Sequence, residues 1–133
     1  MSSEKILVVD DEEAIRDILK QAFTNAGYEV LTAESAEKAR EILRNESIMV
    51  MFLDLNLPGM NGVKLCEMIR KENWIGVVYA LTGYTDLFGL MECRRAGFDD
   101  FFAKPVSIGV LIEAAQEAFK KIERWNVHQY DLA

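Results

Sequence analysis

The chain has 133 residues, a length typical of one domain built around a single hydrophobic core. Half of the residues are hydrophobic and only two are proline, a composition that excludes an intrinsically disordered chain. The formal net charge is −7, which argues against a nucleic-acid-binding protein, because surfaces that bind nucleic acids are normally basic.

Short apolar runs alternate with segments of helical periodicity from the N-terminus onward. Apolar residues between positions 15 and 26 recur at helical spacing, and Gly27 follows at a typical stop position. Ser35 is placed to cap the second helix, and the fourth helix, residues 86–96, has the weakest apolar stripe. A helix is predicted after each of five strands, which are residues 5–9, 28–33, 48–53, 75–81 and 100–103.

This strict alternation predicts an α/β fold with a parallel sheet, because right-handed crossovers place helices on both of its faces. The expected architecture is a doubly wound (βα)5 sandwich. Residues 48–53 carry no polar side chain, which is typical of a strand that is buried on both faces. The last residues, 125–133, have no clear pattern, and a helix extension, a linker stub and a short ordered cap are the alternatives for them.

The remaining reactive side chains have simple structural interpretations. Cys66 and Cys93 are far apart in the sequence, and we interpret them as small buried residues in a reducing compartment. The single histidine, His128, is interpreted as a solvated residue of the C-terminal segment. The N-terminus lacks the pattern of a signal peptide and no apolar run reaches membrane-spanning length, so we expect a cytoplasmic protein without membrane contact.

Polar residues follow the predicted strands at their carboxyl ends, where doubly wound sheets carry their functional crevice. Asp10 and Asp11 follow the first strand, Asp54 the third, Thr82 the fourth and Lys104 the fifth. Each has a structural explanation when it is taken singly, such as an acid in the first turn of a helix or a hydroxyl in a turn. Their coincidence at one edge of one sheet favours a functional site.

The charges at this edge require a partner. Two carboxylates about 4 Å apart, at an effective dielectric constant of about 20, repel each other by about 4 kcal/mol. Three of them therefore need a counter-charge, which a hard divalent cation with oxygen ligands supplies. Mg²⁺ is the expected cation, and Lys104 adds a positive charge beside it.

Four segments together resemble the signature segments of two-component response-regulator receiver domains. They are "ILVVDDEE", "FLDLNLPGMNG", "ALTG" and "FFAKP", and they occur in the order and spacing of that family. The resemblance extends from about Lys5 to about Arg124, so we place a receiver domain at residues 1–124 and a C-terminal tail or linker stub at residues 125–133. It implies a flavodoxin-like, five-stranded sheet of order 2-1-3-4-5.

The resemblance also implies a role for each matching residue. Asp54 would accept a phosphoryl group from a phosphohistidine or a small phosphodonor and form an acyl phosphate. Asp11 would bind Mg²⁺ directly, with Mn²⁺ as the alternative cation, and Asp10 would help through water. The Asp54 carboxylate and the backbone carbonyl of Asn56 would complete the protein ligands.

Further implied roles concern signalling. Thr82 would form a hydrogen bond with the phosphoryl group and Lys104 would pair with it. Phe101 would turn inward when Thr82 moves, so that the fourth helix, fifth strand and fifth helix form the output face. Asn56 and Tyr84 border the approach of water and would tune the phosphate lifetime. The peptide bond between Lys104 and Pro105 is often cis in this family.

Two positions differ from the commoner family pattern. Asn61 stands where aspartate is frequent, and Phe101 lacks the hydroxyl of the usual tyrosine alternative. Neither residue takes part in the phosphorylation chemistry that the resemblance implies. They bear instead on the output surface and on how it switches.

The implied partners are a sensor histidine kinase or a phosphotransfer protein, and an unidentified downstream target or output domain. A homodimer through the face formed by the fourth helix, fifth strand and fifth helix is one further option. Direct binding of nucleic acid by these residues is not expected. The protein would not be an enzyme, since it would catalyse only its own phosphorylation and slow dephosphorylation.

Two rival functions are considered. A phosphohydrolase of the haloacid-dehalogenase kind also forms an aspartyl phosphate at a strand end, but it needs an aspartate and a threonine where this chain has Asn56 and Pro58. A nucleotide- or flavin-binding module of similar architecture is the second rival. It is disfavoured because the chain has neither G-x-G-x-x-G nor a G-K-[ST] loop.

Overall fold

A computed structural model describes residues 4–83 and 87–131 of the chain, with side chains described at residues 4–83 and 89–125. Five strands alternate with five helices in this part of the chain. The strands are β1 (Lys5–Val9), β2 (Glu29–Ala33), β3 (Val50–Asp54), β4 (Val77–Thr82) and β5 (Asp100–Ala103), and the helices are α1 (Glu13–Asn25), α2 (Ala36–Asn45), α3 (Gly62–Lys71), α4 (Leu87–Ala96) and α5 (Ile108–Asp131). In these residues no helix is long and apolar enough to span a membrane.

The strands form one parallel sheet in the order β2-β1-β3-β4-β5. This confirms the predicted doubly wound fold. Strand β3 lies at the centre, where Leu53 pairs with Val9 of β1, and Asp54 pairs with Leu81 of β4. At the edge, Thr82 of β4 pairs with Ala103 of β5. The register brings the carboxyl ends of four neighbouring strands to one edge of the sheet.

The sheet separates two hydrophobic clusters, because successive side chains of a strand point to opposite faces. In β3, Val50 and Phe52 contribute to the cluster that α1 and α5 cover, whereas Met51 and Leu53 contribute to the cluster under α2, α3 and α4. All five residues of β3 are buried. The fully apolar run that predicted this strand thus reflects a strand with helices on both sides.

The two central strands begin later than predicted. Strand β3 begins at Val50 and β4 at Val77, each two residues after its predicted start. Ile75 lies in the turn before β4, with 75% of its surface exposed. In this turn the guanidinium of Arg70, at the end of α3, donates hydrogen bonds to the backbone carbonyls of Trp74 and Gly76. The prediction, which used apolar character alone, therefore placed residues 75 and 76 in β4 although they precede it.

Arg70 ties together the segments at the amino ends of β4 and β5. Its guanidinium donates to the carbonyls of Gly97 at 2.9 Å and Gly76 at 2.9 Å, and to the Asp99 carboxylate at 3.0 Å. It also lies over the ring of Trp74, 5.2 Å from the ring centroid. We call this group of contacts the Arg70 cluster. It lies at the opposite end of the strands from the polar residues that predict a functional site.

The C-terminal segment extends the last helix. The backbone of residues 125–131 continues α5, which agrees with the helix-extension alternative, and the boundary near residue 124 stays a prediction. His128 belongs to this helix, and its side chain is outside the described part.

Cys66 and Cys93 are free and buried, as predicted. Burial raises the pKa of Cys66 to about 12, so this residue is a neutral thiol.

Candidate functional site

The predicted polar residues meet at the carboxyl ends of the strands. Asp10 follows β1 directly, Asp54 and Thr82 end β3 and β4, and Lys104 follows β5. These strands are neighbours in the order β1-β3-β4-β5, and the Lys104 N–H donates to the Thr82 carbonyl at 2.8 Å. The four side chains are therefore brought to one place by the strand order, although they are far apart in the sequence.

Lys104 connects two buried carboxylates. Its Nζ lies 3.0 Å from Oδ2 of Asp54 and 3.6 Å from Oδ2 of Asp10. Asp10 is fully buried and Asp54 is 3% exposed, although both residues are acidic. Buried charges persist only when they are paired, so the lysine acts as the counter-charge of both acids.

The backbone after each acid fixes its orientation. Oδ1 of Asp54 accepts a hydrogen bond from the Asn56 N–H at 3.0 Å, and Oδ1 of Asp10 accepts one from the Glu12 N–H at 2.9 Å. The second oxygen of each carboxylate is the one closest to Lys104. Oδ2 of Asp10 is buried and makes no hydrogen bond, because 3.6 Å is beyond hydrogen-bonding distance. Such an oxygen is available to a cation.

The surroundings of Asp10 and Lys104 shift the pKa values of both residues. Burial raises the pKa of Asp10; the Glu12 N–H opposes this effect, and the charge of Asp54 adds to it. For Lys104, burial alone would lower the pKa, but the hydrogen bond with Asp54 and the charges of both acids outweigh burial, so that its pKa is raised. Lys104 is therefore firmly protonated, whereas Asp10 holds its proton more tightly than an exposed aspartate does.

Three consecutive acids form a candidate cation site. Ligand oxygens of Asp10, Asp11 and Glu12 all lie within 4.8 Å of one another, and Asp11 and Glu12 are exposed. An all-oxygen donor set and a buried oxygen that accepts no hydrogen bond suit a hard divalent cation such as Mg²⁺. Asp54 joins this group from the neighbouring strand, through Lys104. Glu12 was not among the predicted ligands, although it directly follows the two predicted aspartates.

A cleft of about 420 Å³ opens beside Asp54 and Glu12. Four of its lining residues were predicted as site residues, and three were not. The first four are Asp54, Asn56, Thr82 and Lys104, and the others are Glu12, Leu55 and Gly83. Thr82 is 3% exposed and Asn56 is exposed, so the cleft has a buried floor and an open rim. It can admit a small anionic group beside the lysine.

The loop after Asp54 is closed against α3 by Gly62. The Gly62 N–H donates to the Leu55 carbonyl at 3.0 Å. A Cβ atom at position 62 would lie 2.8 Å from Cα of Leu55, closer than such contacts occur. Asn61 is the N-cap residue of α3, and its side-chain oxygen accepts a hydrogen bond from the Lys64 N–H at 2.9 Å. The residue that departs from the family pattern thus serves as a helix cap, a role that aspartate also fills.

The other predicted residues lie nearby or outside the described part. Phe101 is half-buried in β5, where it pairs with Ala80 and packs against the cluster under α2, α3 and α4. The peptide bond between Lys104 and Pro105 is cis, as in the family pattern. Tyr84 lies outside the described residues, so its predicted position beside the cleft stays a prediction.

Comparison with known proteins decides the family. Residues 6–116 match the family model described as "Response regulator receiver domain". The chain belongs to this family. The receiver domain is 34% identical over 125 residues to the "Uncharacterized transcriptional regulatory protein YrkP" of Bacillus subtilis, covering 94% of this chain and 52% of that protein. It is 39% identical over 104 residues to the "Probable transcriptional regulator ycf27" of Porphyra purpurea, covering 78% and 42%.

Solved structures agree with this assignment. The receiver domain superimposes on a "response regulator receiver domain protein (CheY-like)" from Methanospirillum hungatei with a TM-score of 0.87 and 33% identity, covering 92% of this chain and 98% of that one. For the receiver domain of Francisella response regulator 1452, the TM-score is 0.86 and the identity 27%, covering 90% and 98%. The chain spans about half the length, or less, of the curated relatives described above. It is a receiver domain of the two-component response-regulator type.

Proposed function

We propose that this receiver domain accepts a phosphoryl group on Asp54 from a histidine kinase or a phosphotransfer protein. One observation carries the proposal. The Asp54 carboxylate is almost fully buried at the floor of the cleft, with one oxygen held by the Asn56 N–H and the other by Lys104. Packing alone does not place an acid at the end of a fully buried strand, so the carboxylate has a chemical purpose.

The reaction is a transfer of one phosphoryl group. An oxygen of the Asp54 carboxylate attacks phosphorus, the phosphorus–nitrogen bond of the phosphohistidine breaks, and its electron pair stays on the imidazole. The product is an acyl phosphate, and no general base is needed when the attacking group is a carboxylate. Lys104 neutralises charge on the phosphoryl oxygens, and the Thr82 hydroxyl donates a hydrogen bond to one of them.

A divalent cation would be held by the carboxylates of Asp10, Asp11 and Asp54 and by the backbone carbonyl of Asn56. Mg²⁺ or Mn²⁺ would supply positive charge that offsets the charge of the transferring group. The closeness of the Asp10 and Asp11 oxygens supports this assignment, and so does Oδ2 of Asp10, which is buried and accepts no hydrogen bond. Glu12 belongs to the same group of acids, and it extends the proposed ligand set beyond the residues predicted from the sequence.

Stabilisation by Mg²⁺ is expected to decrease at low pH. A carboxylate must be ionised to bind a cation, and burial, with the charge of Asp54, raises the pKa of Asp10 against the opposing Glu12 N–H. In metal-free protein, the native state holds this proton more tightly than the unfolded chain does. This group therefore lowers the free energy of unfolding as the pH rises through its folded pKa.

Thermal unfolding with Mg²⁺ or with a chelator measures this effect. The increase in Tm caused by Mg²⁺ should shrink as the pH falls from about 7.5 to about 5, because Asp10, with its raised pKa, takes up a proton at a higher pH than an exposed aspartate does. In Asp10→Asn, which has no proton to lose at this position, the increase should depend less on pH. An increase in wild type that is the same throughout this range would contradict the expectation.

Signalling would use Thr82 and Phe101 as a two-state element. Movement of Thr82 toward the phosphoryl group would leave space that Phe101, half-buried on the neighbouring strand β5 and paired there with Ala80, could fill. The face formed by α4, β5 and α5 would change and contact an output domain, a downstream target or a second copy of this chain. Curated relatives of greater length are named transcriptional regulators, which supports an output domain as the partner.

Asn56 and Tyr84 are proposed to tune the lifetime of the phosphorylated state. Asn56 lines the open rim of the cleft, where water would approach the acyl phosphate. A smaller side chain at position 84 should open this approach, so Tyr84→Ala is expected to lose its phosphoryl group several-fold faster than wild type. The loss of added mass with time, after the phosphodonor is removed, measures the rate. Equal rates in the two proteins would remove Tyr84 from this role.

Reaction with acetyl phosphate tests the proposal. Intact-mass analysis of the wild-type protein with acetyl phosphate and Mg²⁺ should show one added phosphoryl group, and a chelator should prevent the addition. No added mass under any condition would refute the proposal. Rapid multiple turnover of a phosphomonoester would instead favour the phosphohydrolase, which Asn56 and Pro58 disfavour. We also propose that the protein acts in the cytoplasm, where a kinase of this system would meet it.

A further inference from the structure

Besides Lys104, the side chain of Arg16 contacts the acidic turn between β1 and α1. Residues 10–13 are all acidic, and Arg16 Nη1 donates to the backbone carbonyl of Asp10 at 2.9 Å. The backbone N–H of Arg16 also donates to the Glu12 carbonyl at 3.1 Å. Arg16 is half-buried, and its side chain contacts the turn at the Asp10 carbonyl, whereas the bond to Glu12 is the first backbone bond of the helix.

The turn needs such a contact because it leaves the sheet and concentrates negative charge. The pairing of β1 ends at Val9, and the Asp10 N–H makes a hydrogen bond to the Ala33 carbonyl at 3.1 Å. Beyond that point the Asp10 carbonyl bonds with Arg16 instead of a strand. Glu12 is the N-cap residue of α1, but its side chain makes no capping hydrogen bond. Mutual repulsion of the adjacent carboxylates favours opening of the turn.

We propose that Arg16 is a positioning residue that holds the Asp10–Glu12 turn in the shape in which its carboxylates bind a divalent cation. The inference rests on the proposed function, since it concerns the cation of that site. Partners that orient metal ligands commonly change metal affinity by about 10- to 100-fold when they are removed. Arg16 acts through the backbone of Asp10, since its guanidinium bonds to the carbonyl of that residue.

Replacement of Arg16 should change the metal affinity in opposite directions, depending on whether its charge or its positioning role matters. A positive side chain near the site repels a cation, so its removal should tighten metal binding if charge alone matters. If Arg16 holds the ligands in place, its removal should weaken metal binding. Lys20 provides the matched control, because it is an exposed cation one turn further along α1.

Binding of Mn²⁺, followed by the electron paramagnetic resonance signal of the free ion and by competition with Mg²⁺, measures the affinity directly. We expect Arg16→Gln to raise the Kd about tenfold, and Arg16→Met, which keeps the apolar stem, to do the same. Arg16→Lys, which keeps a donor and the charge, should stay within about threefold of wild type. Lys20→Gln should stay within about twofold. All titrations are done well below the thermal unfolding transition of each variant.

Two failures are distinguishable. Binding by the wild type that is no stronger than that of Asp11→Asn would mean that the proposed function lacks its cation site. Clear binding by the wild type, together with an unchanged or lower Kd in both charge-removing variants of Arg16, would overturn the positioning role and leave the proposed function intact. A Kd raised equally by Lys20→Gln would also overturn it, since the effect would then not depend on the contact between Arg16 and the Asp10 carbonyl.

Discussion

Asp54→Asn is expected to show no added phosphoryl group after incubation with acetyl phosphate and Mg²⁺. The amide has the shape of the carboxylate, and its oxygen can still accept the Asn56 N–H. It lacks the negative charge and the nucleophilic oxygen that the transfer needs, and it no longer pairs with Lys104 as an ion. The expected effect is complete loss of the reaction in a protein that remains folded.

Asp17→Asn is the matched control for this substitution. Asp17 is an exposed aspartate on α1, outside the cleft, so its amide variant should react like the wild type. Near-wild-type thermal unfolding of Asp54→Asn would show that lost reactivity is not lost structure. A full phosphoryl adduct on Asp54→Asn would place the acceptor on another residue and end the proposed assignment of Asp54.

Arg70→Met is expected to reduce the free energy of unfolding by about 3 kcal/mol, because hydrogen bonds with a charged partner are worth about 1.5–3 kcal/mol each and are not additive. The substitution leaves the carbonyls of Gly97 and Gly76 without the guanidinium donor, whereas the Asp99 carboxylate still accepts the Val78 N–H at 2.8 Å. The Asp99 ion pair contributes the smaller part, since both side chains are about a quarter exposed. Methionine keeps an apolar stem beside Trp74.

Urea unfolding followed by circular dichroism measures this loss. Lys71→Met is the control, because Lys71 is the next residue and is exposed, and its effect should stay below about 0.5 kcal/mol. A loss below about 1 kcal/mol in Arg70→Met would show that water replaces the Arg70 cluster at little cost. Since the cluster lies at the amino ends of the strands, the folded variant should still react with acetyl phosphate.

Alternation of apolar runs with helical periodicity was sufficient to predict the fold. The sequence also predicted which side chains would meet, because parallel strands present their carboxyl ends at one edge. Asp54 was the clearest case, as a charge directly after six apolar residues has no packing explanation. The strand order itself came from the family resemblance, since periodicity carries no information about which strands are neighbours.

Contacts to the backbone could not be predicted. Arg70 and Arg16 both donate to backbone carbonyl groups. Every residue has such a carbonyl, so the residue types in the sequence do not indicate which ones accept these bonds. Ile75 was assigned to β4 for a related reason, because the turn that exposes it depends on those carbonyl contacts. Glu12 could have been identified, since it continues a run of acids into the first turn of α1.

The close contact at Gly62 restricts the evolutionary history of this protein. Any side chain at position 62 would displace the backbone of Leu55, the residue next to Asp54, because a Cβ atom there would be 2.8 Å from Cα of Leu55. Gly83 also lines the cleft, and no atom of the described residues lies within 4 Å of the place where its Cβ would be. A side chain at position 83 would therefore change the cleft without displacing described atoms, whereas a side chain at position 62 would move the backbone next to Asp54.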